Sequence, residues 1–151
     1  MGEINTGKAV IYCLKEHPIK LASLEEAKKY RVGVIFQDFR HDYLLRHGFV
    51  EGENLESTNT HDLNYAKLKA GRIDLWPMDV SVMAYFVRRA GDDPGAAVTP
   101  LLEMPDLDAE THFSMAFGLK TSDELVDLLR RGLQEIKADG TYDAILRKWR
   151  R

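Results

Sequence analysis

The stretch Val32-Gly-Val-Ile-Phe36, followed by Gln37 and Asp38, decides the fold of this chain. Its apolar residues run on without alternating with polar ones, which is typical of a strand that is buried on both faces of a sheet. Asp38 favours a helix start, because its side chain can accept the free N–H groups of a first turn. Gly48 suits the left-handed position after the last turn of that helix. The stretch therefore predicts one strand–helix unit.

The same order of strand and helix recurs on either side of this unit. Further strands are predicted at 8–14, 55–58, 73–76, 98–104 and 112–119, with Pro77 expected to stop the strand at 73–76. Further helix starts are predicted at Ser23, Asp62 and Asp79, and two amphipathic helices at 122–149. Repeated strand–helix units with short connections predict an α/β fold. We expect a three-layer α/β/α lobe with a mainly parallel sheet.

Composition and charge exclude several classes of function. The 151 residues carry a formal net charge of −3, so no nucleic-acid partner is expected. The one dense basic run, Arg147, Lys148, Arg150 and Arg151, is interpreted as a solvated helix end. Cys13 is the single cysteine, which excludes an internal disulfide and a cysteine metal cluster. The five histidines lack the spacing of metal ligands, and neither a metal nor a cofactor is predicted.

Two motifs resemble the family 3 extracellular solute-binding proteins. Leu68-Lys-Ala-Gly-Arg-Ile-Asp74, followed by Asp79, resembles the L-x-x-G-R-x-D-x-x-x-x-D pattern of that family. The stretch Asp139-Gly-Thr-Tyr-Asp-Ala-Ile-Leu-Arg-Lys-Trp149 resembles its recurring C-terminal sequence. Ser23-Leu-Glu-Glu26 together with Val32-Gly-Val34 is similar to the start of the family's second lobe. The resemblance thus covers nearly the whole chain.

The resemblance implies the type 2 periplasmic-binding fold, in which two α/β lobes are joined by two hinge strands and the ligand binds between them. Residues 20–105 then correspond to a complete lobe two. Residues 8–14 and 112–151 correspond to the hinge strands and the two C-terminal helices of lobe one. Most of lobe one is expected to be missing from this sequence.

The resemblance also implies a ligand site at the ends of the strands. In amino-acid-binding members, the loop after the first strand of lobe two carries a Gly-Thr type pair that binds the ligand carboxylate at a helix N-terminus. Gln37 and Asp38 stand at these positions here, followed by Phe39 and Arg40. Asp38 would repel a carboxylate. Either Asp38 is only a helix cap, or the pocket has changed to a cationic or neutral ligand.

Asp79 matches the family residue that accepts the amino group of the ligand. It suits a helix cap equally well, and a carboxylate has enough lone pairs for both roles. Trp76 and Met78 flank the same loop and are candidates for an apolar wall of the pocket, although Trp76 suits the core equally.

The implied function is non-catalytic binding of a small polar solute, amino-acid-like or cationic, in an ABC-type transport or sensing system. The implied partner is a membrane permease or sensor, and the implied location is periplasmic or extracellular, with no apolar signal-peptide region in the sequence. One alternative is an interaction module that forms a homodimer through its C-terminal helices. The other is a dehydratase-like enzyme, for which Asp38, Asp79 and His41 are the candidate acids and bases. His41 is expected on a solvated helix surface.

Overall fold

The computed structural model describes residues 3–110 and 112–149. Two compact units make up the chain: the larger is Lys8–Ala109, and the smaller combines Met1–Gly7 with Glu110–Arg151. The elements are β1 (Glu3–Thr6), β2 (Ala9–Leu14), α1 (Leu24–Ala27), β3 (Val32–Ile35), α2 (Phe39–Arg46), β4 (Leu55–Thr58), α3 (His61–Lys69), β5 (Trp76–Asp79), α4 (Val80–Arg89), α5 (Pro94–Ala97), β6 (Val98–Glu103), α6 (Pro105–Glu110), β7 (His112–Ser114), α7 (Asp123–Ala138) and α8 (Thr141–Trp149). Arg150, Arg151 and the side chain of Trp149 lie outside the described residues.

The described helices include none that is both long and apolar enough to cross a membrane.

Five strands form the sheet of the larger unit. β2 lies between β5 and β6 and runs antiparallel to both, whereas β3 and β4 pair in parallel. A parallel bridge between Val32 and Leu75, just before β5, joins the two groups of strands. It follows that β3, β4, β5 and β6 run in one direction and β2 runs in the other. The α/β prediction is confirmed, with β2 as the antiparallel member of a mixed sheet.

Apolar clusters lie on both faces of this sheet. Alternate residues of a strand point to opposite faces, and β2 divides accordingly. One cluster contains Ala9, Ile11 and Cys13 of β2 together with Ala27, Tyr43 and Leu44 of α1 and α2. The other contains Val10 and Tyr12 of β2 together with Tyr65, Leu68, Met83 and Val87 of α3 and α4. The layers are therefore helix, sheet and helix, as the sequence predicts.

Pro77 does not stop a strand at Trp76. It lies inside β5, where it is opposite Ile11 of β2. An antiparallel strand accepts proline at a position where the ring nitrogen faces away from the partner strand. The predicted strand at 73–76 is therefore shifted towards its C-terminus.

Helix capping follows the sequence at Ser23, Asp38 and Asp79, which are all observed as N-caps. The prediction is wrong for α3. Its cap is Thr60, whose hydroxyl accepts the N–H of Leu63 at 3.4 Å, and Asp62 lies in the first turn. Threonine and aspartate are both good N-caps, so the sequence alone did not separate them.

Gly33 of β3 packs closely against Asn64 of α3 and Ile73. A Cβ atom at this position would lie 2.3 Å from Cδ1 of Ile73 and 3.0 Å from Oδ1 of Asn64. Both neighbours are fully buried, so neither has free space to move into. Glycine is therefore required here by packing.

In the smaller unit, β7 pairs antiparallel with β1, a short N-terminal strand that the sequence did not predict. The strand predicted at 112–119 ends at Ser114, because β1 provides only four residues to pair with. β2, which the resemblance equates with a hinge strand, lies in the sheet of the larger unit. α7 packs on α8, and the hydroxyl of Tyr142 in α8 donates to the carbonyl oxygen of Ile4 at 2.6 Å.

Candidate functional site

Three helices begin at one edge of the sheet in the larger unit. β3, β4 and β5 run in the same direction, and they lead into α2, α3 and α4 through the caps Asp38, Thr60 and Asp79. Open α/β sheets bind ligands outside the carboxyl ends of their strands. The structure thus places Gln37, Asp38 and Asp79 at the edge where a ligand site is expected. We call this edge of the sheet, where β3, β4 and β5 end, the carboxyl edge.

Asp38 is both a helix cap and the partner of Arg40. One carboxylate oxygen accepts the backbone N–H of Arg40 at 3.2 Å, and the other lies 3.0 Å from its Nη1 atom. The side chains of Asp38 and Arg40 are only 14% and 7% exposed. A nearly buried guanidinium therefore compensates the carboxylate. The repulsion that the sequence predicts between Asp38 and an acidic ligand is weakened.

The turn before Asp38 carries backbone strain. Gln37 has a φ of +56°, a left-handed conformation that costs a residue other than glycine about 1 kcal/mol. Strain of this kind is concentrated at functional loops. The rings of Phe36 and Phe39, on either side of the turn, are exposed, and the guanidinium of Arg40 lies 4.1 Å from the centre of the Phe39 ring. The turn therefore presents apolar surface at the carboxyl edge.

Asp79 has three backbone partners. Oδ1 accepts the N–H groups of Ser81 at 2.8 Å and Val82 at 3.3 Å, and Oδ2 accepts the N–H of Lys8 at 2.8 Å. Its residue exposure is 7%. Burial, and to a lesser extent the charge of Asp79, raises the pKa of Tyr12 to about 12. Asp79 thus caps α4 and ties the start of β2 to it, while a contact with a ligand amine stays a prediction.

Trp76 and Met78 do not line the carboxyl edge. They are 0% and 2% exposed and belong to the apolar cluster beneath α3 and α4. Residues two apart in a strand share a face, and the face that these two share points into the core. The predicted apolar wall is therefore not formed by Trp76 and Met78.

His41 is also buried, at 6% exposure, so its predicted place on a solvated surface is wrong. Its Nε2 atom lies 3.3 Å from a carboxylate oxygen of Glu51, and its Nδ1 atom lies 3.4 Å from one of Asp42. The ring of Phe36 packs against it at a centroid distance of 5.5 Å. α2 turns this side chain inward, which its helical position alone did not reveal.

His61, the first residue of α3, is a member of the carboxyl edge that sequence reasoning missed. Its ring centre lies 5.0 Å from that of Phe86 in α4. Burial, followed by the charge of Arg40, lowers the pKa of His61, although Asp38 and Asp62 act in the opposite sense. The imidazole is therefore neutral at pH 7. The one signal in the sequence was a polar Thr-His-Asp run directly after a weakly predicted strand.

A cavity of about 430 Å³ opens beside the first turn of α4. Its lining includes Val10, Tyr12, Val80 and Leu102, with Lys8 and Glu103 also contributing. Lys8 and Glu103 form an ion pair at 2.6 Å, in which both side chains are more than half exposed. A mostly apolar wall with a few polar groups suits a small organic solute.

Within residues 3–110 and 112–149, no group of three His, Cys, Asp or Glu side chains is arranged to hold a metal ion.

Solved structures of solute-binding proteins have a fold similar to that of this chain, although no protein-family model matches the chain. An ancestral arginine-binding protein bound to arginine is 25% identical, with a TM-score of 0.68 over 97% of this chain and 62% of its own. A histidine kinase sensor domain with similarity to periplasmic binding proteins is 23% identical, with a TM-score of 0.68 over 95% of this chain and 58% of its own.

The arginine-, lysine-, histidine-binding protein ArtJ from the thermophilic bacterium Geobacillus stearothermophilus is 18% identical, with a TM-score of 0.70 over 97% of this chain and 60% of its own. The chain therefore spans about three fifths of the length of the structures that it matches. The predicted resemblance to the family 3 solute-binding proteins is confirmed at the level of the fold.

Proposed function

We propose that this chain, which has the type 2 periplasmic-binding fold of the family 3 solute-binding proteins, binds a small amino-acid-like solute and leaves it chemically unchanged. The observation that carries the proposal is the meeting of three helix N-termini, those of α2, α3 and α4, at the carboxyl edge. Free N–H groups and helix dipoles at such ends favour the polar groups of a solute.

The charges of the carboxyl edge favour a basic or zwitterionic solute over an acidic one. Asp38, Asp62 and Asp79 are acidic, whereas Arg40 lies 3.0 Å from Asp38 and Arg89 lies 3.7 Å from Asp62. Three carboxylates and two guanidiniums leave one net negative charge, and the lowered pKa of His61 keeps its imidazole mainly neutral at pH 7. An opposite charge nearby stabilises a charged group, whereas a like charge destabilises it. Binding of arginine by a structurally similar protein is in line with this preference.

A thermal-shift titration with arginine, glutamine and glutamate tests the proposal. A solute at 100 times its dissociation constant stabilises the folded state by about 2.7 kcal/mol. We expect the melting temperature to rise most with arginine and least with glutamate. Agmatine, which is arginine without its carboxylate, is the matched control for recognition of that carboxylate. Stronger stabilisation by glutamate than by arginine would contradict the charge argument.

The absence of chemistry is part of the proposal. Asp38 is bonded to Arg40, Asp79 is bonded to three backbone N–H groups, and His41 is buried beside Glu51. A general acid or base must reach the substrate proton directly or through one water. We therefore expect the mass of a bound solute to be the same before and after incubation with the chain, as measured by mass spectrometry.

The proposed location is periplasmic or extracellular, and the proposed partner is a membrane permease or a membrane sensor. The likeness to a histidine kinase sensor domain and the resemblance to transport proteins support the two kinds of partner equally. Osmotic-shock fractionation of cells that express the native gene tests the location. Recovery of the protein in the cytoplasmic fraction alone would contradict it.

We also propose a homodimer through the C-terminal helices. Leu125, Leu128 and Leu129 of α7 and Ile145 of α8 are exposed, and α7 has no buried residue. Two copies that pair through these faces would remove the apolar surface from water. Light scattering at high micromolar concentration should give twice the mass of the chain. A strict monomer, with the same mass for a Leu128→Glu variant, would contradict the dimer.

A further inference from the structure

Neither Asp38 nor Asp79 can supply the hydrogen-bond donor that the carboxylate of a solute requires at the carboxyl edge. Asp38 stands where the resemblance places a carboxylate-binding residue, and its oxygens already accept from Arg40. Asp79 is an acceptor and its oxygens hold three N–H groups. A solute that carries a carboxylate needs a donor, and neither aspartate supplies one.

His61 has the chemistry and the position for that role. It lies between the start of α2, whose Arg40 and Asp38 charges reach it, and Phe86 of α4, whose ring it contacts. The residue is only partly buried, but its Nδ1 atom is sealed from solvent and has no hydrogen-bond partner among the described residues. A neutral imidazole carries one proton, on either nitrogen.

The sealed nitrogen decides which tautomer is stable. A proton on Nδ1 would leave a buried N–H group without an acceptor, and buried N–H groups without partners are rare in proteins. A lone pair at Nδ1 is tolerated more easily. The proton therefore belongs on Nε2, and the neutral imidazole presents Nε2–H as a donor.

A second polar side chain on α3 also lacks hydrogen-bond partners among the described residues. Asn64 is 0% exposed, and both atoms of its amide lack hydrogen-bond partners among the described residues. It follows His61 by three positions, so the two side chains share one face of the helix. Gly33 leaves the space that the Asn64 amide occupies. One face of α3 therefore carries two side chains with unsatisfied polar atoms, Nδ1 of His61 and the amide of Asn64.

We infer that His61 is a specificity-determining residue of the candidate site and donates its Nε2–H to the carboxylate of an amino-acid solute. The inference rests on the proposed function and adds to it the residue that distinguishes an amino acid from the corresponding amine.

Three variants of the full chain test the inference: His61→Gln, His61→Asn and His61→Ala. The amide nitrogen of glutamine reaches the position of Nε2, whereas that of asparagine reaches only the position of Nδ1. Calorimetric titration with arginine should show a dissociation constant within about threefold of wild type for His61→Gln and at least tenfold higher for the other two. Binding of agmatine, which has no carboxylate, should be the same in all four proteins.

The failures of the two proposals are distinguishable. If wild type binds arginine and all three variants bind it equally well, His61 has no role in recognition while the proposed function stands. If wild type binds no amino acid, the proposed function fails and the role of His61 fails with it. A two-bond ¹⁵N–¹H spectrum of the histidine rings gives a test that needs no solute. A proton on Nδ1 of His61 at pH 7.5 would overturn the inference.

Discussion

The larger and smaller units combine strands and amphipathic helices in contrasting ways. In the larger unit, residues such as Ile11, Leu75 and Trp76 are fully buried between two helical layers. In the smaller unit, α7 has a strong apolar stripe but no buried residue. Of the exposed large apolar side chains among the described residues, half lie in the smaller unit, although it is the shorter of the two. An amphipathic helix forms a core only where another layer of secondary structure covers its apolar stripe.

The largest expected effect separates the two units by a single leucine substitution in each. Leu75→Ala removes a side chain that is 0% exposed, and such changes cost about 2–5 kcal/mol of stability. Leu128→Ala changes a side chain that is 58% exposed, and the expected cost is within about 0.5 kcal/mol. Urea unfolding of both variants at low micromolar concentration, followed by circular dichroism, measures the difference.

Equal losses in the free energy of unfolding for the two leucine variants would contradict the contrast between the two units. They would show that the apolar face of α7 is covered in solution to the same extent as the core of the larger unit. Repeating the Leu128→Ala measurement at a tenfold higher protein concentration separates the causes, because a dimer becomes more stable with concentration and a monomer does not.

Much of the larger unit could be predicted because its signals are local. The unbroken apolar run at Val32–Ile35 and the caps Asp38 and Asp79 depend only on neighbouring residues in the chain. β1 could not be predicted, because Glu-Ile-Asn-Thr has no strand pattern and becomes a strand only by pairing with β7. Pro77 misled the prediction, because its tolerance depends on which side of β5 faces β2.

The edge of the sheet at which the candidate site residues lie could be predicted from the sequence, but the contacts of these residues could not. The ends of β3 and β5 follow from strand order, and Gln37, Asp38 and Asp79 lie at the expected edge. The pairing of Asp38 with Arg40 and the environment of His61 depend on three helices that converge in space. A sequence pattern carries no information on such contacts. For the same reason the sequence left Trp76 open between the pocket wall and the core and made Met78 a candidate for the wall, whereas both belong to the core.

A smaller effect is expected from removing one helix cap in each unit. Asp79→Ala deletes the cap of α4 and the tether to Lys8, so we expect a loss of about 1–2 kcal/mol in the free energy of unfolding. Ser122→Ala deletes the cap of α7, whose bond to the N–H of Leu125 is long at 3.4 Å, and the expected loss is about 0.5 kcal/mol. Thermal unfolding of both variants measures these losses.

The same Asp79 variant sharpens the assignment of the site. If Asp79 also contacts the ammonium group of a solute, Asp79→Ala should weaken solute binding by more than the lost folding stability explains. Asp79→Asn, which keeps one cap acceptor but not the charge, is the matched variant. Unchanged affinity in a folded Asp79→Ala protein would leave only the capping role.

The smallest expected effect is a difference in the pH at which the two units lose stability. In the larger unit, burial and Arg40 hold the pKa of His61 below its ordinary value of 6.5, so the unfolded chain takes up a proton before the folded one. The contribution of His61 is complete above pH 6.5 and is lost as the pH falls below it. In the smaller unit, the hydrogen bond from Thr141 lowers the pKa of Asp139 from 3.8, so the contribution of Asp139 to stability persists until the pH falls below 3.8.

Melting temperatures of wild type and His61→Gln between pH 7.5 and 5 should show a steeper decline for wild type. His17→Gln, a change at an exposed histidine of the larger unit, is the control. If the melting temperature falls equally steeply with pH in wild type and His61→Gln, the His61 imidazole is solvated.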